Sequence, residues 1–208
     1  LPERKTAEER KQEIVQSTLK LADNVGPDRL SAAMIARDIG ISQPAIFRHF
    51  SGMSVLWLSV AEYIEKVMKK KWDKALSTGD DAPQQLQKLI LTQLHLIQSI
   101  PAIPGILFSR ELHAGNKGLR QAFAKIMQSL HGRIIHIIVS GQKSGHFNQY
   151  IPAEDSAYLI MSFIQGLVVR WSISGKSFNL PEEGQRLLKI QMHILLSNKI
   201  PQDIGGNL

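Results

Sequence analysis

The chain has 208 residues, enough for one sizeable domain or for a small domain joined to a larger one, and 43% hydrophobic residues supply a real core and exclude wholesale disorder. The 25 Lys+Arg against 18 Asp+Glu give a net charge of +7, a balance suited to nucleic acid or another anionic surface, although the excess is spread almost evenly over residues 1–76 and 77–208. Cysteine is absent, which removes disulfides, thiolate metal sites and cysteine nucleophiles and fits a reducing cytoplasm; no apolar run reaches the roughly 18 residues of a membrane span, and the charged start does not read as a signal peptide.

Along the chain, Ile14, Leu21 and Val25, with Leu19 and Ala22 alongside, predict an amphipathic helix over 9–25, stopped by Gly26 and Pro27. Ser31 suits the N-cap of a short helix carrying Ile35 and Ile39, and Gly40 ends it. Ser42 suits the cap of a third helix, with Pro44 in its first turn, running to about Phe50. Leu56, Val60, Ile64 and Val67 then mark one long helix from Met53 to about Leu76, and the polar stretch 77–83 reads as a joint. Beyond it the spacing predicts further helices over 84–99, 104–114, 117–143, 153–174 and 182–198, with no strand alternation and no repeat. The expected fold class is all-α.

The stretch "IARDIGISQPAIFRHF", residues 35–50, has the parts a helix-turn-helix needs. Ala36 allows two helices to cross closely, Gly40 can take the turn at φ > 0, and Ile35, Ile39, Ile41 and Ile46 can form a small core against helix 9–25. Such a unit offers the start of its last helix to the major groove of double-stranded DNA. Ser42 and Gln43 can hydrogen-bond base edges or phosphates, and Gln is a bidentate partner for adenine. Pro44 and Ala45 permit close approach and can touch a thymine methyl; Arg48 and His49, one turn on, would meet phosphates or outer base pairs, and Ser31 offers a second helix start to a phosphate. Arg4, Lys5, Arg10 and Lys11 could form a basic N-terminal arm along the DNA, whereas Lys69, Lys70 and Lys71 point in different directions on a long helix and read as a solvated face.

Residues 10 to about 60 resemble the DNA-binding domain of TetR-family transcriptional regulators. The resemblance is carried by "EIVQSTLKLADNVG" and "LSAAMIARDIGISQPAIFRHFSGMSVL". It implies an N-terminal three-helix DNA-binding domain, residues 1–52, joined by a long helix to a larger effector-binding and dimerisation domain, residues 53–208. It also implies a homodimer and a ligand-responsive regulator, most simply a repressor released from its operator by a small molecule. Phe47 stands where the family commonly has a phosphate-contacting Tyr, and Met53 where it commonly has a Lys. Both departures should weaken salt-dependent affinity rather than sequence choice.

Residues 157–171 are apolar nearly all round, so that helix must be covered on both sides. With Leu187, Leu188, Ile190, Ile194 and Leu195 of the last helix, it is expected to form a four-helix dimer interface within residues 155–198. For an effector pocket, Phe108, Phe163 and Trp171 offer apolar walls, and His95, Gln165 and Arg170 could orient a polar group, with Glu111 an equally good partner for Arg170. No metal is expected, because His131 and His136 are five apart and Glu111 and His113 two apart, neither spacing that sets two ligands on one helix face. No phosphate loop, nucleophile elbow or Asp/His constellation supports an enzyme, and no cofactor is implied. The rival reading keeps the DNA-binding domain but replaces the small-molecule switch with recruitment of another protein, as in an architectural or division-linked factor.

Overall fold

The computed structural model describes residues 5–196, which form ten α-helices and one 3-10 turn, with no strand among the described residues. In order these are α1 (Ala7–Val25), the 3-10 turn Pro27–Arg29, α2 (Ala32–Asp38), α3 (Gln43–His49), α4 (Met53–Leu76), α5 (Ala82–Ser99), α6 (Ile103–Phe108), α7 (Arg110–Gly115), α8 (Lys117–Lys143), α9 (Ala153–Ile173) and α10 (Leu180–Leu196). The all-α expectation holds. Segment 104–114 is two helices rather than one, because Ser109 sits in extended backbone and its hydroxyl caps the Leu112 N–H of α7 at 3.0 Å. The last helix starts two residues earlier than predicted, at Leu180, with Pro181 in the first turn where its missing N–H costs little. Residues 197–198, the end assigned to that helix and to the dimer segment, lie outside the described residues.

The chain forms two compact units, Leu1–Lys70 with Leu96–Met127, and Lys71–His95 with Gln128–Leu208. In the first, α1 buries Ile14, Val15, Thr18, Leu19 and Ala22. That stripe is centred on the i, i+4, i+8 row 14/18/22, so the predicted Leu21 and Val25 fall at its edge and are only half-buried. Thr18 is tolerated inside because its hydroxyl returns to the Ile14 carbonyl at 2.7 Å. The first half of α4 buries Leu56, Val60 and Ile64 completely, as their spacing predicts.

In the second unit the Trp72 indole donates to Oε1 of buried Gln93 at 2.9 Å, and the Arg133 guanidinium lies 5.2 Å from the Trp72 ring centre while pairing with Asp73 at 2.7 Å. The helix α9 packs on α10 through an inner face of Ile160, Ile164, Leu167, Val168 and Trp171. By length and composition alone α9 is apolar enough to cross a bilayer, which corrects the expectation from run length: its Ser, Gln and Arg interrupt the run without much lowering its mean. Of its most apolar window, 44% is buried within the protein.

Close packing at Gly141, near the end of α8, gives a prediction whose sign runs against helix propensity. A Cβ there would stand 2.2 Å from a ring carbon of buried Phe147 and 2.9 Å from the Ala82 Cβ. Helix propensity alone favours Gly→Ala by about 1 kcal/mol, whereas overpacking costs about 1–3 kcal/mol. Gly141→Ala should therefore lower the melting temperature; an increase would show that the Phe147 ring has room to yield.

Candidate nucleic-acid interface

The helices α1, α2 and α3 pack on one another around Ile14, Ile35, Ala36, Ala45 and Ile46, each less than a tenth exposed. Gly40, at φ 69°, carries the turn between α2 and α3: its N–H meets the Arg37 carbonyl at 3.4 Å, and the Ile41 N–H reaches back to the Ala36 carbonyl at 2.9 Å. This paired closure requires the left-handed conformation that glycine adopts without a Cβ clash, and it sets the direction in which α3 leaves. Ile39 and Ile41, expected in the small core, are half-buried on either side of the turn.

A polar brace adds to the apolar one. Asp38, the last residue of α2, accepts from the Lys20 ammonium at 2.6 Å and the Ser17 hydroxyl at 2.8 Å, both on α1. The Lys20 hydrogen bond first, then that of Ser17, holds the Asp38 carboxyl below its ordinary value.

The arrangement leaves Ser42, Gln43, Pro44, Phe47 and Arg48 exposed, with His49 half-buried. On a helix, 43, 44, 47 and 48 share one face, so these residues are brought together. Ala45, assigned to the same surface from sequence, is instead 8% exposed beside Ile46 in the core, because it falls on the opposite side of the helix. Ser31 caps α2 through the Met34 N–H at 3.4 Å, and its hydroxyl proton stays available to an acceptor. Ser42 occupies the N-cap position of α3 without making a side-chain cap, so its hydroxyl is not committed to the helix. Of the basic arm, Lys5 and Arg10 both pair with Glu13, and Thr6 and Glu9 close a capping box that starts α1. Arg4 lies outside the described residues.

Two long-range ties within the same unit had no signal in the sequence. The buried Ser109 hydroxyl, at the break between α6 and α7, donates to the Asp28 carboxylate in the turn between α1 and α2. The Asn116 amide donates to the Ser54 carbonyl at 3.0 Å while its oxygen caps the Leu119 N–H of α8, joining the start of α8 to the start of α4. Next to Ser109, His113 Nε2 lies 3.0 Å from the Ile106 and Leu107 carbonyls, two acceptors that call for a proton on that nitrogen, and buried Nδ1 has no hydrogen-bond partner among the described residues. Serine and asparagine reveal their caps locally, but partners 81 and 62 residues away are set by packing.

Of the six effector-pocket candidates, Phe163, Gln165, Arg170 and Trp171 lie on α9, His95 on α5 and Phe108 on α6. Phe108 belongs to the first unit and is 45% exposed; in the second unit His95 and Arg170 are exposed, Phe163 and Gln165 half-buried, and Trp171 buried with its indole donating to the Phe178 carbonyl. None of them lines the two hollows of about 300–310 Å³ beside Tyr63 or the one of about 360 Å³ between Pro83 and Leu188. Arg170 pairs with Glu183 at 2.5 Å, not with Glu111, and stacks on Phe178; Arg186 and then Arg170 hold the Glu183 carboxyl at about 2. Among the described residues no three His, Asp or Glu side chains cluster as a metal site would need.

Residues 14–60 match the family model described as bacterial regulatory proteins of the tetR family, and residues 60–194 match one described as the C-terminal region of a YsiA-like protein. The chain belongs to the TetR family of transcriptional regulators. It is similar to the nucleoid occlusion factor SlmA of Marinobacter nauticus, 21% identical over 78% of this chain and 83% of that protein. Matches to the Vibrio campbellii and Aliivibrio fischeri proteins of the same name span 66% and 62% of their lengths. Two solved TetR-like folds resemble it: a transcriptional regulator from Saccharomonospora viridis in complex with choline (TM-score 0.79, 20% identity, 89% of this chain and 96% of that one), and the regulator FadR from Bacillus subtilis in complex with stearoyl-CoA (TM-score 0.73, 17% identity, 90% and 98%). As a TetR-family protein the chain is a DNA-binding regulator rather than an enzyme.

The Asp38 brace makes the DNA-binding unit acid-sensitive in a defined direction. A carboxyl whose folded value is depressed stabilises the fold above its ordinary range near pH 4, and that contribution is lost as pH falls through the lower folded value. Asp38→Asn should melt earlier than wild type at neutral pH, and the gap should narrow below about pH 4. A gap constant from pH 7 to pH 2.5 would mean the charge on Asp38 contributes nothing.

Proposed function

We propose that the protein is a ligand-responsive transcriptional repressor in which residues 1–52 read an operator and residues 53–208 carry the dimer contacts and the effector. The observation that carries this reading is the single exposed face of α3, where Gln43, Pro44, Phe47 and Arg48 stand together on a rigidly braced trihelical unit. Gln43 pairs with adenine, Arg48 and His49 meet phosphates, and the start of α2 at Ser31 binds a further phosphate. Gln43→Ala should cost about 1–3 kcal/mol on a selected site and little on random DNA. Arg48→Ala should weaken both and reduce the log–log salt slope by about 0.9. Both are read by fluorescence anisotropy at several salt concentrations, and equal losses on both DNAs for Gln43→Ala would make Gln43 a positioning residue only.

The dimer would form through α9 and α10. Tyr158, Leu159 and Ile173 of α9 and Ile190 and Ile194 of α10 are more than half exposed on one protomer, a run of large apolar side chains that a partner copy would cover. Val168 and Leu195, 3% and 5% exposed, face the protomer's own core, so a charge there disrupts the fold instead of the interface. Leu159→Glu combined with Ile194→Glu should sediment as a folded monomer. A fully dimeric double variant would place the interface elsewhere.

For the switch, the solved relatives holding choline and stearoyl-CoA support a small organic effector. The tie between Ser109 and Asp28 gives such an effector a route to the DNA-reading unit: moving the α6–α7 break would pull on the turn that enters α2. Linkage makes the effect reciprocal, so an effector that weakens DNA binding tenfold itself binds about 1.4 kcal/mol more weakly to the DNA complex. Ser109→Ala should leave effector affinity in the absence of DNA unchanged while shrinking that tenfold coupling. Undiminished coupling would route the signal through another contact.

Similarity to nucleoid occlusion factors favours one second reading, a DNA-bound protein that recruits another protein. Compounds that bind tightly with the same affinity with and without operator DNA would favour it over the effector switch.

A further inference from the structure

We propose that Phe47 is a specificity-determining residue that reads a thymine methyl group one to two base pairs from the adenine met by Gln43. The inference rests on the DNA-binding reading of α3 and deepens it. Phe47 is 42% exposed, while Ala45, Ile46 and Phe50 around it are all below a tenth, so the helix presents its ring outward and does not use it as core. A phenyl ring has no donor or acceptor. It can therefore make neither a phosphate hydrogen bond nor a hydrogen-bonded contact to a base edge. On the floor of the major groove the distinctive apolar feature is the C5-methyl of thymine.

Position fixes the register. Phe47 follows Gln43 by four residues, one turn on the same face, about 5.4 Å along the helix axis. Base pairs rise about 3.4 Å each, so side chains one turn apart on a helix lying in the groove meet positions one to two base pairs apart. Pro44 and Arg48 are exposed on the same face, and Arg48 would hold the adjoining phosphate. Gln43 and Phe47 together thus ask for two neighbouring A·T pairs, one recognised through adenine and the other through its thymine.

The full-length protein is used to select a duplex from a random pool. Each thymine of the selected site is then replaced singly by uracil, which removes only the methyl group, and affinities are measured by anisotropy for wild type and Phe47→Ala. Burying one methyl group is worth about 0.8 kcal/mol, roughly fourfold in affinity. One thymine per half-site, one to two pairs from the adenine whose change is silent in Gln43→Ala, should show about this loss in wild type and none in Phe47→Ala. The salt slope of Phe47→Ala should equal that of wild type, which also establishes that the variant is folded on DNA. A site at which no uracil substitution matters, or at which the same loss persists in Phe47→Ala, overturns the role of Phe47 while the DNA-binding reading stands. Failure to select any duplex overturns both.

Discussion

The left-handed turn at Gly40 is the constraint on which the rest of the DNA-reading unit depends. Its two backbone hydrogen bonds close α2 and launch α3 in one direction, which lets Ala36 and Ile46 both be buried where the two helices pack. A Cβ at that φ would be strained, so the angle between the helices is written into the backbone before any side chain packs. Ser17, Lys20 and Asp38 secure the same geometry from the other side with charge-assisted hydrogen bonds. The exposed face of α3 is the remainder left when these demands are met.

Much of this was legible in the sequence because the governing interactions are local. Caps, glycine turns and a 3.6-residue apolar period act within a few residues, which is why α4, α8 and the boundaries at Gly26, Ser31 and Gly40 agree with expectation. What escaped was phase and distance. The side of α3 that Ala45 occupies depends on how α1 lies against it, and the break at Ser109 is bound up with a carboxylate 81 residues earlier. The effector candidates show the same limit: aromatic and polar residues at helical spacing say which face they share, but not what that face meets.

The apolar helix α9 shows how one composition can serve two surfaces. Its inner row packs against α10, while Tyr158, Leu159 and Ile173 remain outside, with the small residues Ser162 and Gly166 exposed between them. An all-round apolar helix in sequence thus resolves into a core row and an outer row separated by about half a turn. The partition explains why two buried positions and several exposed ones of the same hydrophobicity have opposite consequences when charged.

The first compact unit is discontinuous, since residues 96–127 complete what residues 1–70 begin. On the ribosome this imposes a schedule. At about 5–20 residues per second, some 3–12 s separate the emergence of Phe50 from that of Ser109. During that interval the helices that carry the Gly40 turn and the Asp38 brace have been made, but Ser109, the partner of Asp28, has not. The complete unit, and with it the contact at Asp28, therefore forms only after residues 96–127 have followed the first 70 out.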